Sequence, residues 1–464
     1  MTKSSAGNGW SDFRRAIFLS PARLSVIGFL LLIGMGTALL TLPAAADGPR
    51  LGLVDALFTA TSASCVTGLI VVDTGTAFSL FGQLVILALI QIGGLGIMTL
   101  STLFVMMAGR RPSLVGRLAI QDAYTHSQDW TPGEILRDVA LFVALVEGIG
   151  VLVLFFAFLP HYPPGQALYT ALFHSVSAFC NAGFSLFPDS LAGYREDWVV
   201  NLTVCGLIVS GGLGFLVLSE LNRRPLLRRR VWARLSLHSK LVLSTTAILL
   251  ISGTLLILFL EWNNTLADLS PPGRFLAAIF QSTTLRTAGF NTLPIDKMAN
   301  VTLFLFILFM FIGGGPGSCA GGVKITTIAS LFLVGLSRFR RHYRPQVFFR
   351  TIHESSITKA MSVVLTGMFI IAVGTGCLLI SELGEVPHPE SRGKFLELLF
   401  EMVSAFGTVG LSTGGTGDLT VWGRLIISAA MFMGRLGPLV VALAVTRMTT
   451  PPRYYYASER IMIG

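Results

Sequence analysis

The chain has 464 residues, of which 53% are hydrophobic and only 12% are charged, and its mean hydropathy is +0.72. A soluble protein of this length carries about 25% charged residues, so the composition excludes an ordinary soluble domain and indicates a membrane protein. The net charge of +10 requires no nucleic-acid partner, because the basic residues cluster in short segments between long apolar runs.

Eight apolar runs are long enough to cross a hydrocarbon core of about 30 Å as helices. In chain order they are residues 24–42, 78–107, 139–159, 199–219, 241–260, 301–336, 357–380 and 425–445. The first run is too long for the apolar part of a cleaved signal peptide and lacks a convincing cleavage site, so we interpret it as the first span.

Each pair of runs encloses a short segment that ends in a glycine and a large apolar residue. The four segments are TATSASCVTGL (59–69), HSVSAFCNAGF (174–184), QSTTLRTAGF (281–290) and EMVSAFGTVGL (401–411). Their glycines are 115, 106 and 121 residues apart, and the third segment is one residue shorter than the others. One such segment alone has little meaning, but four at near-equal spacing indicate a fourfold internal repeat.

Segments of about 12 residues are too short to cross a membrane. A half-helix that enters the membrane and returns as an extended loop fits this length, provided that protein or a water-filled cavity satisfies its backbone. Four such loops around one axis form a ring of carbonyl oxygens, which can replace the hydration shell of an alkali ion. The predicted fold is therefore an all-α polytopic membrane protein with four membrane–pore-loop–membrane repeats, eight transmembrane helices and four re-entrant pore helices around a central ion pathway.

Span counting and charge predict the same topology. Two spans per repeat return the chain to its starting side, so the three connections between repeats share one face, and their basic residues indicate that this face is cytoplasmic. Both termini are then cytoplasmic. The predicted organisation is an N-terminal segment (1–23), repeat 1 (24–108, pore loop 53–70), a connection (109–137), repeat 2 (138–221, pore loop 167–185), a basic connection (222–239), repeat 3 (240–337, pore loop 273–291, intramembrane loop 313–323), a basic connection (338–356), repeat 4 (357–447, pore loop 394–412) and a C-terminal tail (448–464).

These glycine segments resemble the four selectivity-filter regions of the Trk/Ktr/HKT superfamily of potassium transporters. The stretches IQIGGLGIMTL (90–100), GGGPGSCAGGVKITT (313–327) and MGRLGPLVVALA (433–444) also resemble that superfamily. The resemblance covers residues 24–447 and is closest to the Ktr-type membrane subunit, because the first span leads directly into the first filter. It implies potassium translocation across the plasma membrane, a homodimer in the lipid bilayer, and a cytoplasmic ring of nucleotide-binding RCK domains as partner. It implies no covalently bound cofactor, with K⁺ as the transported ion and Na⁺ as a modulator.

The resemblance also assigns ion coordination to backbone carbonyls in the four filters. The expected ligands are Val66, Thr67, Gly68, Asn181, Ala182, Gly183, Thr287, Ala288, Gly289, Thr408, Val409 and Gly410. Glycine in all four repeats matches the pattern for a high preference for potassium, whereas some relatives with serine in the first filter admit sodium more readily.

Residues 313–322 contain six glycines and one proline, which a regular helix does not tolerate. A loop between two short helices is one interpretation, but the apolar flanks favour a flexible intramembrane loop beneath the filter, and in the superfamily this loop is the gate. The expected gate residues are Gly313, Gly314, Gly315, Pro316, Gly317, Ser318, Gly321, Gly322, Lys324 and Arg435.

Isolated ionisable residues inside apolar runs are candidates for function. Arg435 either pairs with backbone carbonyls for structural reasons or forms an electrostatic barrier that contacts the gate loop. Lys324 either lines the inner cavity or extends to the interface. Glu147 is either a coupling-ion site or, as we prefer, a carboxyl group bonded within the helix bundle.

Other residues near the pore loops have simpler expected roles. Arg286 is expected to brace the loops by bonding their backbone, and Asp55 and Glu397 to cap pore helices 1 and 4. The five cysteines, including Cys65 and Cys180 beside the filters, are expected to be buried packing residues without disulfides.

Three alternative functions remain. A sodium- or proton-coupled symporter would favour inverted repeats, whereas these repeats share one orientation. An intramembrane enzyme would require more than the adjacent His174 and Ser175, and a purely structural scaffold would not need four carbonyl loops. The C-terminal tail lies either at a dimer interface or on the partner ring.

Overall fold

The computed structural model describes residues 21–107, 132–223, 231–341, 344–437 and 440. Three predicted segments lie wholly or largely outside these residues: 1–23, 109–137 and 448–464. The arginine-rich part of the connection 222–239, at residues 224–230, also lies outside them.

Each repeat contains three main helices, which we call its first helix, pore helix and second helix. The first helices are Pro21–Leu40, Pro132–Phe158, Leu237–Glu261 and Glu354–Glu382. The pore helices are Leu53–Ser64, Pro164–Phe179, Pro271–Thr284 and Lys394–Gly407. The second helices are Leu80–Met107, Trp198–Leu213, Asn300–Met310 and Val421–Leu436, and those of repeats 2 and 3 continue after a break as Phe215–Arg223 and Ile325–Phe339. This helical fourfold architecture is the one that the sequence predicts.

The remaining elements are short. One-turn helices form at Thr74–Ala77 and Val231–Arg234, and 3₁₀ turns at Pro43–Ala45, Ala192–Tyr194, Ile295–Lys297 and Gly415–Asp418. Strands β1 (Gln346–Val347) and β2 (Arg350–Thr351) pair antiparallel in the connection between repeats 3 and 4, with Gln346 opposite Thr351.

The first helices form the outer layer of the molecule. All four are long and apolar enough to cross a membrane, and only 17% to 33% of each apolar stretch is buried within the described chain. Lipid tails are as apolar as these side chains, so such a surface is stable in a bilayer. The helices inside it are held by close packing rather than by removal from water.

The pore helices form the core. Each carries a phenylalanine directly before its glycine segment, and all four of these rings are fully buried: Phe58, Phe173, Phe280 and Phe400. The repeat that is visible in the sequence is therefore also a repeat of packing.

The second helix of repeat 2 corrects the prediction of one straight span at 199–219. It ends at Leu213, and the following helix turns from it by 104°. Gly214 between them has a φ of 90°, which glycine adopts without the steric cost that a Cβ imposes. The apolar run continues through this bend, and hydropathy alone does not detect a change of direction.

The second and third connections between repeats lie on the same face of the molecule. The ring of Trp232, between repeats 2 and 3, is 5.8 Å from that of Phe348, between repeats 3 and 4. Span counting predicts this arrangement.

Candidate ion pathway

The four glycines of the repeat meet in one ring. Their φ angles are all positive: 95° for Gly68, 70° for Gly183, 78° for Gly289 and 90° for Gly410. In each repeat, an added Cβ would collide with a carbonyl oxygen of the next repeat. The distance from this Cβ to the oxygen is 2.5 Å for Gly68 and Ala182 O, 2.8 Å for Gly183 and Ala288 O, and 2.7 Å for Gly289 and Val409 O, and it is shorter still for Gly410 and Thr67 O. The ring therefore closes in chain order, and only glycine fits these positions.

The residue two positions before each glycine is also left-handed. The φ angles are 57° for Val66, 59° for Asn181, 63° for Thr287 and 50° for Thr408. Three of these four residues are β-branched, for which this conformation is a genuine outlier. Strain of this kind costs on the order of 1–3 kcal/mol per residue and concentrates at functional sites.

Hydroxyl groups of the pore helices brace the loops in two ways. In repeats 1 and 4 the glycine amide donates to a serine hydroxyl at 3.1 Å: Gly68 to Ser62 and Gly410 to Ser404. In repeats 2 and 3 the hydroxyl donates to the carbonyl after the glycine: Ser177 to Phe184 at 2.7 Å and Thr284 to Phe290 at 2.6 Å. We did not predict these braces, although a serine or threonine five or six positions before each glycine was the available signal.

The electrostatics of the ring favour a cation. Each pore helix ends within a few residues of its glycine, so four partially negative helix C-termini point to one place. Among the described residues, the buried hydroxyls of Thr67, Thr287 and Thr408 have no hydrogen-bond partner. Buried polar atoms without a protein partner commonly bind water or an ion.

A second glycine motif recurs on the second helices. It reads GGLG at 93–96 and 211–214, GGPG at 314–317 and GRLG at 434–437. Its first glycine packs on a pore-helix carbonyl in three repeats: Gly93 on Ser64, Gly211 on Phe179 and Gly434 on Phe406. Three of these stretches lie within the segments that resemble the superfamily, whereas the one at 211–214 was not predicted, although the self-similarity of the chain reveals it.

The predicted gate loop lies directly beneath the filters. Its two ends meet in a parallel bridge between Ile312 and Val323. An added Cβ on Gly321 would overlap the side chain of Thr408, and one on Gly322 would lie 3.2 Å from the carbonyl oxygen of Gly407. The loop is thus a largely buried segment packed against the fourth filter rather than an exposed connection.

The gate loop is also bonded to the break in repeat 2. The amide of Gly315 donates to Gly212 O at 2.8 Å and that of Cys319 to Gly211 O at 3.1 Å. Helix termini leave carbonyl groups without intrahelical partners, and the bend at Gly214 presents these two to the loop.

Arg435 and Lys324 both hold the gate loop. Arg435 Nη1 donates to Cys319 O, and its Nη2 donates to Gly93 O at 2.6 Å and to Gly94 O at 3.2 Å. Lys324 Nζ donates to Ala320 O at 2.6 Å. Arg435 therefore pairs with backbone carbonyls, one of which belongs to the gate loop, and its role as an electrostatic barrier stays a prediction. Lys324 bonds to the loop itself.

The structure does not show the predicted role of Arg286. Its carbonyl oxygen accepts from Asn181 Nδ2 at 3.3 Å, but among the described residues its own Nε and Nη2 have no partner. The link between filters 2 and 3 therefore comes from the asparagine, and the guanidinium contributes no bond from these two nitrogens.

Glu147 is bonded within the bundle, as we preferred. Gln91 Nε2 lies 3.2 Å from both of its carboxylate oxygens, and Gln91 Oε1 accepts from Cys180 Sγ at 3.4 Å. This network links the first helix of repeat 2 to the residue beside filter 2.

Asp55 and Glu397 lie in the first turn of their pore helices, as predicted, where a carboxylate complements the helix dipole. Neither makes a capping hydrogen bond to the helix backbone. Asp55 Oδ1 instead pairs with Arg424 Nη1 of repeat 4 at 2.5 Å, and Glu397 pairs with Lys394 at 2.8 Å. A partner 369 residues away is invisible to a reading of local sequence.

The remaining predictions concern reactive groups. All five cysteines are free, and four are buried, but Cys377 is exposed, contrary to the expectation. Ser175 donates to the carbonyl of Glu147, whereas His174 contacts Thr170 O and Ser185 Oγ. These two residues therefore do not form a nucleophile–base pair.

Comparisons with known proteins agree with this architecture. The model of the TrkH family, described as a cation transport protein, matches residues 26–454. Ktr system potassium uptake protein B of Bacillus subtilis (strain 168) is 41% identical over 90% of this chain and 92% of its own length. The protein of the same name from Vibrio alginolyticus is 36% identical, over 95% and 94%. Potassium/sodium uptake protein NtpJ of Enterococcus hirae is 36% identical, over 96% and 98%.

A solved structure shows the same fold. The crystal structure of the potassium transporter TrkH from Vibrio parahaemolyticus superposes with a TM-score of 0.74 at 18% identity, covering 92% of this chain and 85% of that one. The family match spans nearly the whole chain and contains the ring, the gate loop and all of the four repeats except the first residues of repeat 1. The chain belongs to the TrkH family of cation transport proteins.

Proposed function

We propose that this chain takes up potassium across the plasma membrane through a channel-like pore lined by the carbonyl oxygens of the four filters. The observation that carries the proposal is the closed ring, in which each glycine faces a carbonyl of the next repeat. Such a ring replaces the hydration shell of an alkali ion at a site where four helix C-termini already favour positive charge.

The relatives support potassium as the substrate. Two are named potassium uptake proteins and one a potassium/sodium uptake protein. Glycine in all four filters favours potassium as the main ion here, with sodium as a modulator of the flux.

The gate loop controls this flux. The cations of Arg435 and Lys324 bond to adjacent carbonyls of the loop, at Cys319 and Ala320. While the loop lies beneath the filter, it keeps two positive charges near the path, and like charges repel a permeating cation. Withdrawal of the loop removes the steric block and breaks the bond that holds Arg435 to Cys319 O.

Regulation comes from the cytoplasmic side. We propose that both termini and the three connections face the cytoplasm, where a ring of nucleotide-binding RCK domains docks on a homodimer of this chain. The contact of Trp232 with Phe348 supports a continuous surface formed by two of these connections.

The test is ⁸⁶Rb⁺ uptake into liposomes that contain the purified chain, driven by a potassium gradient without sodium or proton gradients. A channel-like pore conducts under these conditions, and the flux saturates with Rb⁺ and excludes Na⁺. A flux that appears only with an imposed sodium or proton gradient would instead indicate a coupled symporter. In that event Glu147, bonded to Gln91 beside filter 2, is the first residue to replace. No flux under any condition would contradict the proposal.

A further inference from the structure

The bend in repeat 2 joins the gate loop to the cytoplasmic end of the molecule. The helix Phe215–Arg223, which we call the lever helix, leaves the second helix of repeat 2 at 104°. One of its ends contacts the gate loop, and the other lies next to the connection between repeats 2 and 3.

The first end of the lever helix fits closely against the gate loop. The amide of Phe215 donates to Gly317 O at 3.2 Å. A Cβ on Gly214 would lie 2.5 Å from the carbonyl oxygen of Pro316. Because the two segments are in direct contact, a displacement of the lever helix either moves the gate loop or breaks these contacts.

The other end of the lever helix is held by a carboxylate. Glu220 accepts three hydrogen bonds from the start of the first helix of repeat 3: from Ser236 N at 2.9 Å, Ser236 Oγ at 2.9 Å and Ser239 Oγ at 2.5 Å. We call these three residues the latch. Hydrogen bonds to a carboxylate are stronger than neutral ones, and a negative charge at a helix N-terminus is favourable.

A small cavity lies beside the lever helix. Its volume is about 40 Å³, and its lining includes Phe215, Leu218 and Ser219 of the lever helix, Phe142 of the neighbouring first helix and Cys319 of the gate loop. A helix in a close-packed interior cannot shift without displacing its neighbours. Because this cavity lies between the lever helix, the neighbouring first helix and the gate loop, the lever helix can move into it.

We propose that Glu220 is a positioning residue of the gate, whose latch holds the lever helix, and through it the gate loop, in the closed arrangement. The inference rests on the proposed gating role of the loop and adds the element that controls it. Ser236 and Ser239 stand at the end of the basic connection 222–239, on the face where the cytoplasmic partner is proposed to dock. A partner that draws this connection away opens the latch and releases the loop.

The first test replaces the carboxylate. In liposomes without any partner, Glu220→Ala is expected to raise the maximal rate of ⁸⁶Rb⁺ uptake about tenfold, which corresponds to a shift of about 1.4 kcal/mol in the gating equilibrium. The half-saturating Rb⁺ concentration and the preference for K⁺ over Na⁺ stay unchanged, because the filter is untouched. The matched control is Leu216→Ala on the same helix, at a residue outside both the latch and the cavity lining, and it keeps the wild-type rate. A purely stabilising role for Glu220 would lower uptake in proportion to the amount of folded protein, and that result overturns the proposal.

The second test does not depend on transport. Hydrogen exchange on the purified chain in lipid nanodiscs is expected to quicken about tenfold in peptides that cover residues 311–325, both in Glu220→Ala and in the double variant Ser236→Ala/Ser239→Ala. Combining all three changes adds nothing further, because residues of one network do not act additively. Unchanged exchange of the loop in both variants would overturn the latch even if the chain conducts. An absence of ⁸⁶Rb⁺ flux in the wild type and in both variants, with faster loop exchange in the variants, would overturn the proposed function alone.

Discussion

Two layers of the molecule are built from the same four repeats but differ in symmetry: the filter, and beneath it the layer formed by the second glycine motif at 93–96, 211–214, 314–317 and 434–437. In the filter, corresponding residues do the same thing: four glycines have positive φ angles, and each faces a carbonyl of the next repeat. Beneath it, the second position of the second glycine motif is Gly94, Gly212, Gly315 or Arg435. The symmetric layer suits an ion that is coordinated from all sides, and the asymmetric layer suits a gate that moves from one side.

The largest expected effect comes from breaking the symmetric layer. Gly410→Ala places a Cβ against Thr67 O at a φ of 90°, and we expect ⁸⁶Rb⁺ uptake to fall at least about 100-fold, for which a barrier increase of about 2.7 kcal/mol suffices.

The matched control for this change is Gly414→Ala. Gly414 has a φ of 98° but no atom within 4 Å of an added Cβ. It therefore carries the same backbone strain outside the ring, on the order of 1–2 kcal/mol, and should retain most of the uptake. An equal loss in both variants would mean that strain, rather than the ring, explains the effect.

A somewhat smaller effect is expected from removing the asymmetric layer. Deletion of residues 313–320 removes the amides that bond to Gly211 and Gly212, together with the carbonyls that hold Arg435 and Lys324. We expect ⁸⁶Rb⁺ uptake without any partner to rise about tenfold, a change of about 1.4 kcal/mol, with the K⁺ over Na⁺ preference unaltered. Uptake that is unchanged and still regulated would contradict the gate assignment.

A third change separates two arginines on one helix. Arg435→Gln removes a charge bonded to the gate loop and to repeat 1. Basal uptake should rise several-fold, which corresponds to a change of about 1 kcal/mol in the free-energy barrier. Arg424→Gln, on the same helix, breaks the partly exposed pair with Asp55 and a hydrogen bond to Gly417 O at 2.9 Å. Such a pair contributes about 1 kcal/mol or less to stability, so thermal stability should fall slightly without a change in gating. A similar rise in uptake from both variants would show that any disturbance of this helix opens the pore.

The smallest effect concerns pH at the outer ends of the pore helices. Glu196 accepts from the amide and hydroxyl of Ser270, the N-cap of pore helix 3, and these bonds hold the pKa of Glu196 below its ordinary value of 4.5. Because the folded state favours the carboxylate, its stabilisation is complete above that value and is lost as the pH falls through the lower pKa of the folded protein. Thermal unfolding at pH 6 and pH 3.5 should show a slightly larger loss for the wild type than for Glu196→Gln. Identical losses would show that this cap contributes nothing.

The sequence predicts the symmetric layer better than the asymmetric one, for a physical reason. A position that requires a positive φ and a close carbonyl admits only glycine, so Gly68 and its three counterparts are visible in every repeat. The gate loop is visible for a similar reason, through its glycines and Pro316.

Contacts between residues that are distant in the sequence produce no recognisable sequence pattern. The pair of Asp55 with Arg424 and the bond of Arg435 to Gly93 join residues more than 340 positions apart. The bend at Gly214 is hidden because the apolar run continues through it. These features follow from how the repeats surround one axis, which composition and periodicity do not describe.

The proposed function requires that the four loops form one carbonyl-lined path for a potassium-like ion. The most direct measurement is a crystal structure of the chain in Tl⁺ or Rb⁺, with the ion located by its anomalous scattering. We expect a peak on the axis between the carbonyl oxygens of Thr67, Ala182, Ala288 and Val409, and its loss when Na⁺ replaces the heavier ion. Anomalous peaks elsewhere in the protein, with none at this ring, would contradict it.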